Sequence, residues 1–366
     1  MNIWSSKIPN RTDCHVHMGA MDGEEHMLAI QQATGMEKMS FVAIQNPKEG
    51  SGLAGPLQMK LKYPDRFYVF AGLNHARTIS EDQVEAFSLA EQVDRFIQMG
   101  CDGIKMIEGK PTSRQVMDIP VTDPTFASYW ETVEDRGFPI LWHVNDPEEF
   151  WDPDLLPSWA KERNWGYGPE DVQKEELYQE VDEILKRHPT LTVIFAHFYF
   201  LSADLPRAGR FLDEHPTVHF DLAPGIEMLY NISKDPDKGR AFFTKYAERI
   251  LLGTDLMSPQ TVKEGTLRAG ILFRWLETED AFRVPEEADF LLGPPEDGII
   301  RGMCLPEEIL RLVYRDNFVR IAGGSPKPLQ KDQVAAFCRE TARIAESLSG
   351  KPAQETQAGQ LASVLE

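Results

Sequence analysis

Between residues 138 and 198 the chain reads Phe-Pro-Ile-Leu-Trp-His-Val-Asn (138–145), a long polar and aromatic stretch, a helical stripe, and Thr-Val-Ile-Phe-Ala-His-Phe (192–198). The stripe is Leu177, Val181, Ile184 and Leu185, at i, i+4, i+7 and i+8, closed by His188 and Pro189, and it predicts one helix with a single apolar face. The two flanking runs are nearly continuous in apolar residues, as strands covered on both faces are. Buried strand, helix and buried strand make a β/α unit, and the same unit recurs along the chain.

Comparable runs stand at 11–18, 40–46, 67–74, 102–107, 218–223 and 250–255, which brings the number of predicted strands to eight. Further helical stripes lie between them: Phe126, Tyr129, Trp130 and Val133, closed by Gly137, and Leu205, Ala208, Phe211 and Leu212. Eight strands alternating with helices over about 250 residues predict an α/β fold of the (β/α)8 TIM-barrel type. An open doubly wound sheet is the rival, but no Gly-x-Gly-x-x-Gly turn follows the first strand. The expected organisation is a single barrel domain over 1–323, with a closing helix at 307–322, followed by a C-terminal helix and tail over 324–366. Two segments exceed the minimal repeat. One is the loop 146–176 after strand 5, with Trp151, Trp159, Trp165 and Tyr167, and the other is an insertion at 278–304. The loop is expected to act as a lid over an aromatic or apolar substrate or as an oligomer contact, and the Gln/Ala/Ser end of the tail is expected to fray.

Composition narrows the partners. The chain has 366 residues with 38 Lys+Arg against 58 Asp+Glu, a formal charge of −20, which argues against nucleic acid and against an anionic membrane surface. Four cysteines, Cys14, Cys101, Cys304 and Cys338, lie far apart and form neither a disulfide framework nor a zinc ribbon. No apolar signal run opens the sequence and no stretch approaches the ~18 apolar residues of a membrane span. A cytoplasmic protein, acting on a small molecule and assembling as a homo-oligomer, a dimer, is expected.

In a barrel the catalytic groups come from the C-terminal ends of the strands. Strand 1 ends Asp13-Cys14-His15-Val16-His17, where a two-residue alternation points Asp13, His15 and His17 to one side. Strand 5 ends in His143, strand 6 in His197 and strand 8 in Asp255, while strand 4 carries Lys105. Imidazoles with one carboxylate suit Zn²⁺ or a similar divalent ion with a position left for water. A single His-x-His is weak evidence, but three further strand ends carrying His, His and Asp strengthen it considerably.

These motifs resemble those of the amidohydrolase superfamily, in particular its amidohydrolase 2 branch, typified by aminocarboxymuconate-semialdehyde decarboxylase. The resemblance runs from residue 11 to about 323. It rests on Asp-Cys-His-Val-His at 13–17, Trp-His-Val at 142–144, Phe-Ala-His-Phe at 195–198, Gly-Thr-Asp at 253–255 and Tyr-Arg-Asp-Asn-Phe-Val-Arg-Ile-Ala-Gly at 314–323. It implies that His15, His17, His143 and Asp255 bind one metal ion, Zn²⁺ with Mn²⁺ as the alternative, and that His197 stands beside the bound water or the substrate as base or electrophile. Asp255 would then accept the proton of the water and deliver it to a leaving group. In binuclear relatives a strand-4 lysine is carboxylated and bridges two metals; the branch resemblance favours a single ion and an unmodified Lys105. Two reactions stay open. One is hydrolysis of an amide, lactone or ester of a small cyclic substrate by metal-activated water, the reading preferred here. The other is non-oxidative decarboxylation or hydration of a small unsaturated or aromatic acid.

Weaker substrate contacts are expected from Lys105, from His75 and Arg77 beyond strand 3, and from Trp151. Asp221, ending strand 7, either joins them or orients a metal ligand from behind. For Arg77 the plainer reading is a solvated loop charge. A serine hydrolase is not supported, since no Gly-x-Ser-x-Gly occurs.

Overall fold

The apolar runs become nine parallel strands in a computed structural model that describes residues 4–44, 51–75, 87–288, 290–293 and 295–366. They are β1 (Arg11–His17), β2 (Met36–Val42), β3 (Phe67–Gly72), β4 (Gly103–Gly109), β5 (Ile140–Val144), β6 (Val193–Phe195), β7 (Val218–Asp221), β8 (Ile250–Leu251) and β9 (Leu256–Met257). From β1 to β8 each strand lies beside the next in the chain, and β9 returns to β1 through Val16 opposite Leu256. β8 and β9 are the two halves of the predicted eighth strand. Between them Leu252 O accepts from Cys14 N (2.9 Å) and Asp255 N donates to His15 O (2.9 Å), which closes the TIM barrel. The run 250–255 is therefore not one strand. Gly253 passes so close to its neighbours that a Cβ there would stand 3.1 Å from His15 Cβ, and Asp255 takes a left-handed φ of 55°.

Strand parity divides the core. Val69, Ile104, Trp142, Phe195 and Phe220 face the helices, while Tyr68, Phe70, Leu141, Ile194 and Leu251 fill the barrel, plugged from below by Phe318. Lys105, His143 and Asp221 share the inward parity. In β1 the simple alternation fails, because a register shift between Asp13 and Val16 puts Cys14 with the interior cluster and Val16 with the outer one. The shift leaves His15 and His17 converging on one point above the packed interior.

The helix Lys174–Arg187 forms where its stripe predicts it, and the helix Ala127–Arg136 stops at Gly137 with φ 57°. The closing helix runs from Glu307 to Ala322 and widens to a π turn over Leu312–Asp316, whose Val313 O accepts from Leu252 N (2.8 Å). The expected fraying of the tail is not seen. Residues Gln357–Leu365 form a helix that buries Ala358, Leu361 and Ala362 against the helices Lys331–Ser349 and Ala54–Lys62, and Gln357 Oε1 accepts from Met21 N (3.0 Å). Alanine, leucine and small residues at helical spacing supply the buried face that a purely polar reading of this stretch overlooks. Among the described residues no helix is long and apolar enough to cross a membrane.

Candidate metal centre and its cavity

Three of the expected ligands meet above the barrel core. His15 Nε2 and His17 Nε2 lie 3.2 Å apart, and Asp255 Oδ1 is 3.7 Å from the first and 3.2 Å from the second. The tautomer of His15 follows from its other nitrogen. Nδ1–H donates to Asp221 Oδ2 at 2.7 Å, so Nε2 carries the lone pair that faces the cluster. Burial, and after it the Lys105 cation, hold His15 well below the ordinary imidazole range, so its neutral, ligating form prevails. Two imidazole nitrogens and one carboxylate oxygen at this spacing are a donor set that fits a divalent ion.

Each group is held from behind. Asp221 is fully enclosed, with Oδ1 accepting from His197 N (2.8 Å) and Ala223 N (3.0 Å) while Oδ2 receives His15. Its carboxylate is thus turned to the imidazole and away from the cavity, which is the orienting arrangement. Asp13 does not join the cluster. It accepts from His15 N (3.1 Å), from Thr254 N (3.1 Å) and from the Thr254 hydroxyl, tying β1 to the broken eighth strand, and burial pushes its carboxyl up to about 7. Asp255 is braced by Arg268, which reaches across from the helix Val262–Glu277. This fully buried guanidinium donates to Asp255 Oδ2 (3.3 Å), Pro224 O (2.8 Å) and Thr254 O. Burial works against the Asp255 charge, but His17, His15 and Arg268 outweigh it and hold the carboxyl well below its usual range.

His143 stands outside the cluster. Its Nε2 is directed at Asn145 O (2.9 Å) and Asp146 Oδ1 (3.4 Å), so the geometry does not bring the fourth expected ligand to the other three. Asn145, with φ 71°, turns the chain back and offers that carbonyl. Lys105 Nζ donates to His15 Nε2 at 3.2 Å, and burial pushes its ammonium down to about 8. His75 is buried against Glu108 Oε1 (2.6 Å) and does not line the cavity, and Arg77 lies outside the described residues.

His197 does not end a strand. β6 stops at Phe195, and His197, Phe198, Tyr199 and Phe200 all take left-handed φ values of 50–57°. Such a conformation costs a non-glycine residue roughly 1–2 kcal/mol, so four in succession need external support. Asp221 holds the His197 amide, and the Tyr178 hydroxyl donates to Tyr199 O (3.0 Å). The turn sets the His197 ring 4.7 Å from that of His143 and 5.4 Å from that of His15, centroid to centroid. His197 Nδ1–H donates to Ala223 O (3.0 Å), which leaves Nε2 unprotonated.

Over these groups lies a cavity of about 120 Å³ whose floor is His143, His197 and Asp255. The loop 146–176 supplies Phe150, Trp159 and Trp165 to its walls, Phe200 comes from the left-handed turn, and Leu291 comes from the 278–304 insertion. Trp151 does not line it; its ring packs on Tyr167 and its Nε1 donates to Val172 O (3.2 Å). A cation that the sequence reading passed over, Lys110, does reach the cavity. Its Nζ donates to Asp146 Oδ1 (2.8 Å), and this ammonium and His143 hold Asp146 well below the usual carboxylate range against the opposing effect of burial. The signal for Lys110 was its place one residue beyond β4, the rim position of a barrel. Arg268 had no comparable signal, since it lies mid-helix.

Comparison with known proteins agrees with the fold. Residues 12–321 match the model of a family described as amidohydrolase. No curated protein matches the chain. Among solved structures it is similar to an uncharacterized TIM-barrel protein from Bordetella bronchiseptica, with a TM-score of 0.52 and 15% identity over 86% of this chain and 99% of that one. It is also similar to 2,6-dihydroxybenzoate decarboxylase from Rhizobium (TM-score 0.51, 14% identity, 86% and 98% covered). A third is 5-carboxyvanillate decarboxylase from Novosphingobium aromaticivorans, in complex with manganese and 4-hydroxy-3-methoxy-5-nitrobenzoic acid (TM-score 0.50, 10% identity, 87% and 98% covered).

Proposed function

The chain belongs to the amidohydrolase family, and from that premise we propose that it is a metal-dependent hydrolase opening an amide, lactone or ester bond in a small cyclic substrate. The observation that carries the reading is the tautomer of His197. With Nδ1–H committed to Ala223 O, the nitrogen left beside the His15, His17 and Asp255 cluster is a proton acceptor. Attack by water needs a base at that place, whereas protonation of a ring carbon needs an acid.

A dication held by His15, His17 and Asp255, Zn²⁺ with Mn²⁺ as the alternative, would polarise a substrate oxygen and acidify water bound to it. The chain's own residues do the rest. His197 Nε2 takes the proton released on attack and returns it to the leaving oxygen or nitrogen. We assign that proton to His197 rather than Asp255 because both Asp255 oxygens are engaged, Oδ1 with the histidines and Oδ2 with Arg268. The Lys110 ammonium attracts an acidic substituent, and the aromatic walls hold the ring and exclude water. A volume of about 120 Å³ is below the ~300 Å³ of typical ligand pockets and suits a single ring.

A second reading is loss of CO₂ from a small aromatic acid, the reaction that two of the structural relatives carry in their names. The ring-sized aromatic cavity suits its substrates equally. A chromatographic product assay of the metal-loaded protein against cyclic lactones, amides and esters separates the two. Hydrolysed, ring-opened product without CO₂ is expected. Stoichiometric CO₂ from carboxylated aromatic acids, with no hydrolysed product from any lactone, amide or ester, overturns the proposal.

A further inference from the structure

Lys105 has no part in the chemistry above, and its surroundings give it another. It lies on β4 with Gly72 of β3 and Leu141 of β5 as ladder partners, so its backbone is fixed on both sides and only the side chain can move. The residue is 2% exposed and is not among those that line the cavity. Among the described residues its ammonium makes one hydrogen bond, from Nζ to His15 Nε2 at 3.2 Å.

That acceptor is the nitrogen an ion needs. His15 Nδ1–H is committed to Asp221 Oδ2 (2.7 Å), so Nε2 offers a single lone pair, and a lone pair that receives an N–H cannot bind a cation at the same time. His17 Nε2 approaches the same nitrogen at 3.2 Å, but Asp255 Oδ1 stands equally near it as another acceptor. Lys105 has no second acceptor among the described residues. Its charge matters as well. Asp221 and Asp255, both buried, are the carboxylates that act most strongly on the ammonium, which supplies part of the balance a dication would bring and repels one placed beside it. The cluster itself is open to an ion, through Asp255 on the cavity floor and His17, whose side chain is 23% exposed.

We propose that Lys105 competes with the ion. In the metal-free protein its ammonium holds the His15 lone pair and balances Asp221 and Asp255, and a dication binds only by displacing it. The assignment rests on His15, His17 and Asp255 being the metal site, as proposed above, and it is independent of which bond is broken. It is opposite in sign to a binuclear arrangement, in which a carboxylated Lys105 would hold metal.

The test is metal binding without turnover. Competition with a chromophoric chelator gives the dissociation constants for Zn²⁺ and Mn²⁺, and melting curves are recorded with and without metal. Lys105→Met, which removes the donor and the charge, is expected to bind either ion at least tenfold more tightly than the wild type, since no charged hydrogen bond has to be broken first. Its metal-free melting temperature should fall, because buried carboxylates lose a counter-charge, and its rise on adding metal should exceed that of the wild type. Where Lys105→Met does not fold without metal, Lys105→Gln, which loses the charge alone, takes its place and should shift in the same direction. Unchanged or weaker binding by the folded variant overturns the proposal. Zn²⁺ binding to the variant but not to the wild type upholds it and overturns the metal-dependent function instead, and binding to neither overturns both.

Discussion

Asp221→Asn should disable the metal centre without touching a ligand. Asp221 Oδ1 accepts from two backbone amides, His197 N and Ala223 N, and Oδ2 accepts from His15 Nδ1 at 2.7 Å. An asparagine keeps its one oxygen on the two amides and turns its NH₂ to the imidazole. That NH₂ can only donate, so the His15 proton must move from Nδ1 to Nε2, the nitrogen 3.2 Å from His17 Nε2. The lone pair that would meet an ion is lost or has to be regained at the cost of two opposed donors. Removing such a hydrogen bond from a metal-binding histidine weakens affinity roughly 10- to 100-fold, or about 1.4–2.7 kcal/mol. Competition with a chromophoric chelator measures the dissociation constant for Zn²⁺ and for Mn²⁺, and the rise in melting temperature on adding metal should shrink in step. Catalytic rate at saturating metal should recover more than rate at limiting metal. If the variant folds, as judged by its metal-free melting curve, and binds metal as tightly as the wild type, then His15 Nε2 is not a ligand and the centre proposed here is wrong.

Two further outcomes follow from buried charges. Arg268→Met leaves Asp255 and two carbonyls without their donor inside the protein, at a cost of about 3–5 kcal/mol, which should appear as a fall in melting temperature on the order of 5–10 °C. Added metal should restore part of it, and an unchanged metal-free melting curve would show that Arg268 does not compensate this carboxylate. His219, inward-facing on β7, is pushed down to about 3 by burial, then by Arg249 and Arg320. Its contribution to stability is therefore fully present above about pH 6.5, the unfolded value. It is lost as pH falls toward 3, because the unfolded chain binds one more proton across that window, at about 1.4 kcal/mol per pH unit. His219→Leu should flatten the fall in melting temperature between these limits; equal slopes in the two proteins would mean that His219 does not titrate so.

Much of the fold was legible because barrel strands and their helices carry local, periodic signals. The runs around Trp142 and Phe220 are continuous because both faces are covered, and the stripe from Leu177 to Leu185 is helical because one face is. Where the reading slipped, single residues had left the regular pattern. The register shift between Asp13 and Val16 breaks the alternation expected of β1, and the left-handed turn beginning at His197 ends β6 early. The tail was misread for a different reason: its small residues are apolar enough to pack only when a partner helix is already in place.

The sequence by itself determined the barrel, the strand end that carries His15 and His17, and the segments after the sixth strand and within the broken eighth that carry His197 and Asp255. These depend on period, composition and position along a strand, all of which are local. Only the tertiary structure decided which donors converge and which turn away. His143 is drawn to the carbonyl of Asn145, while Asp221, 206 residues from His15, fixes its tautomer. Arg268 takes its place from the middle of a helix whose residues show no pattern that marks it. Hydrogen bonds are short and directional, so a site is settled by single φ angles and by contacts between distant segments, which hydrophobic periodicity does not encode.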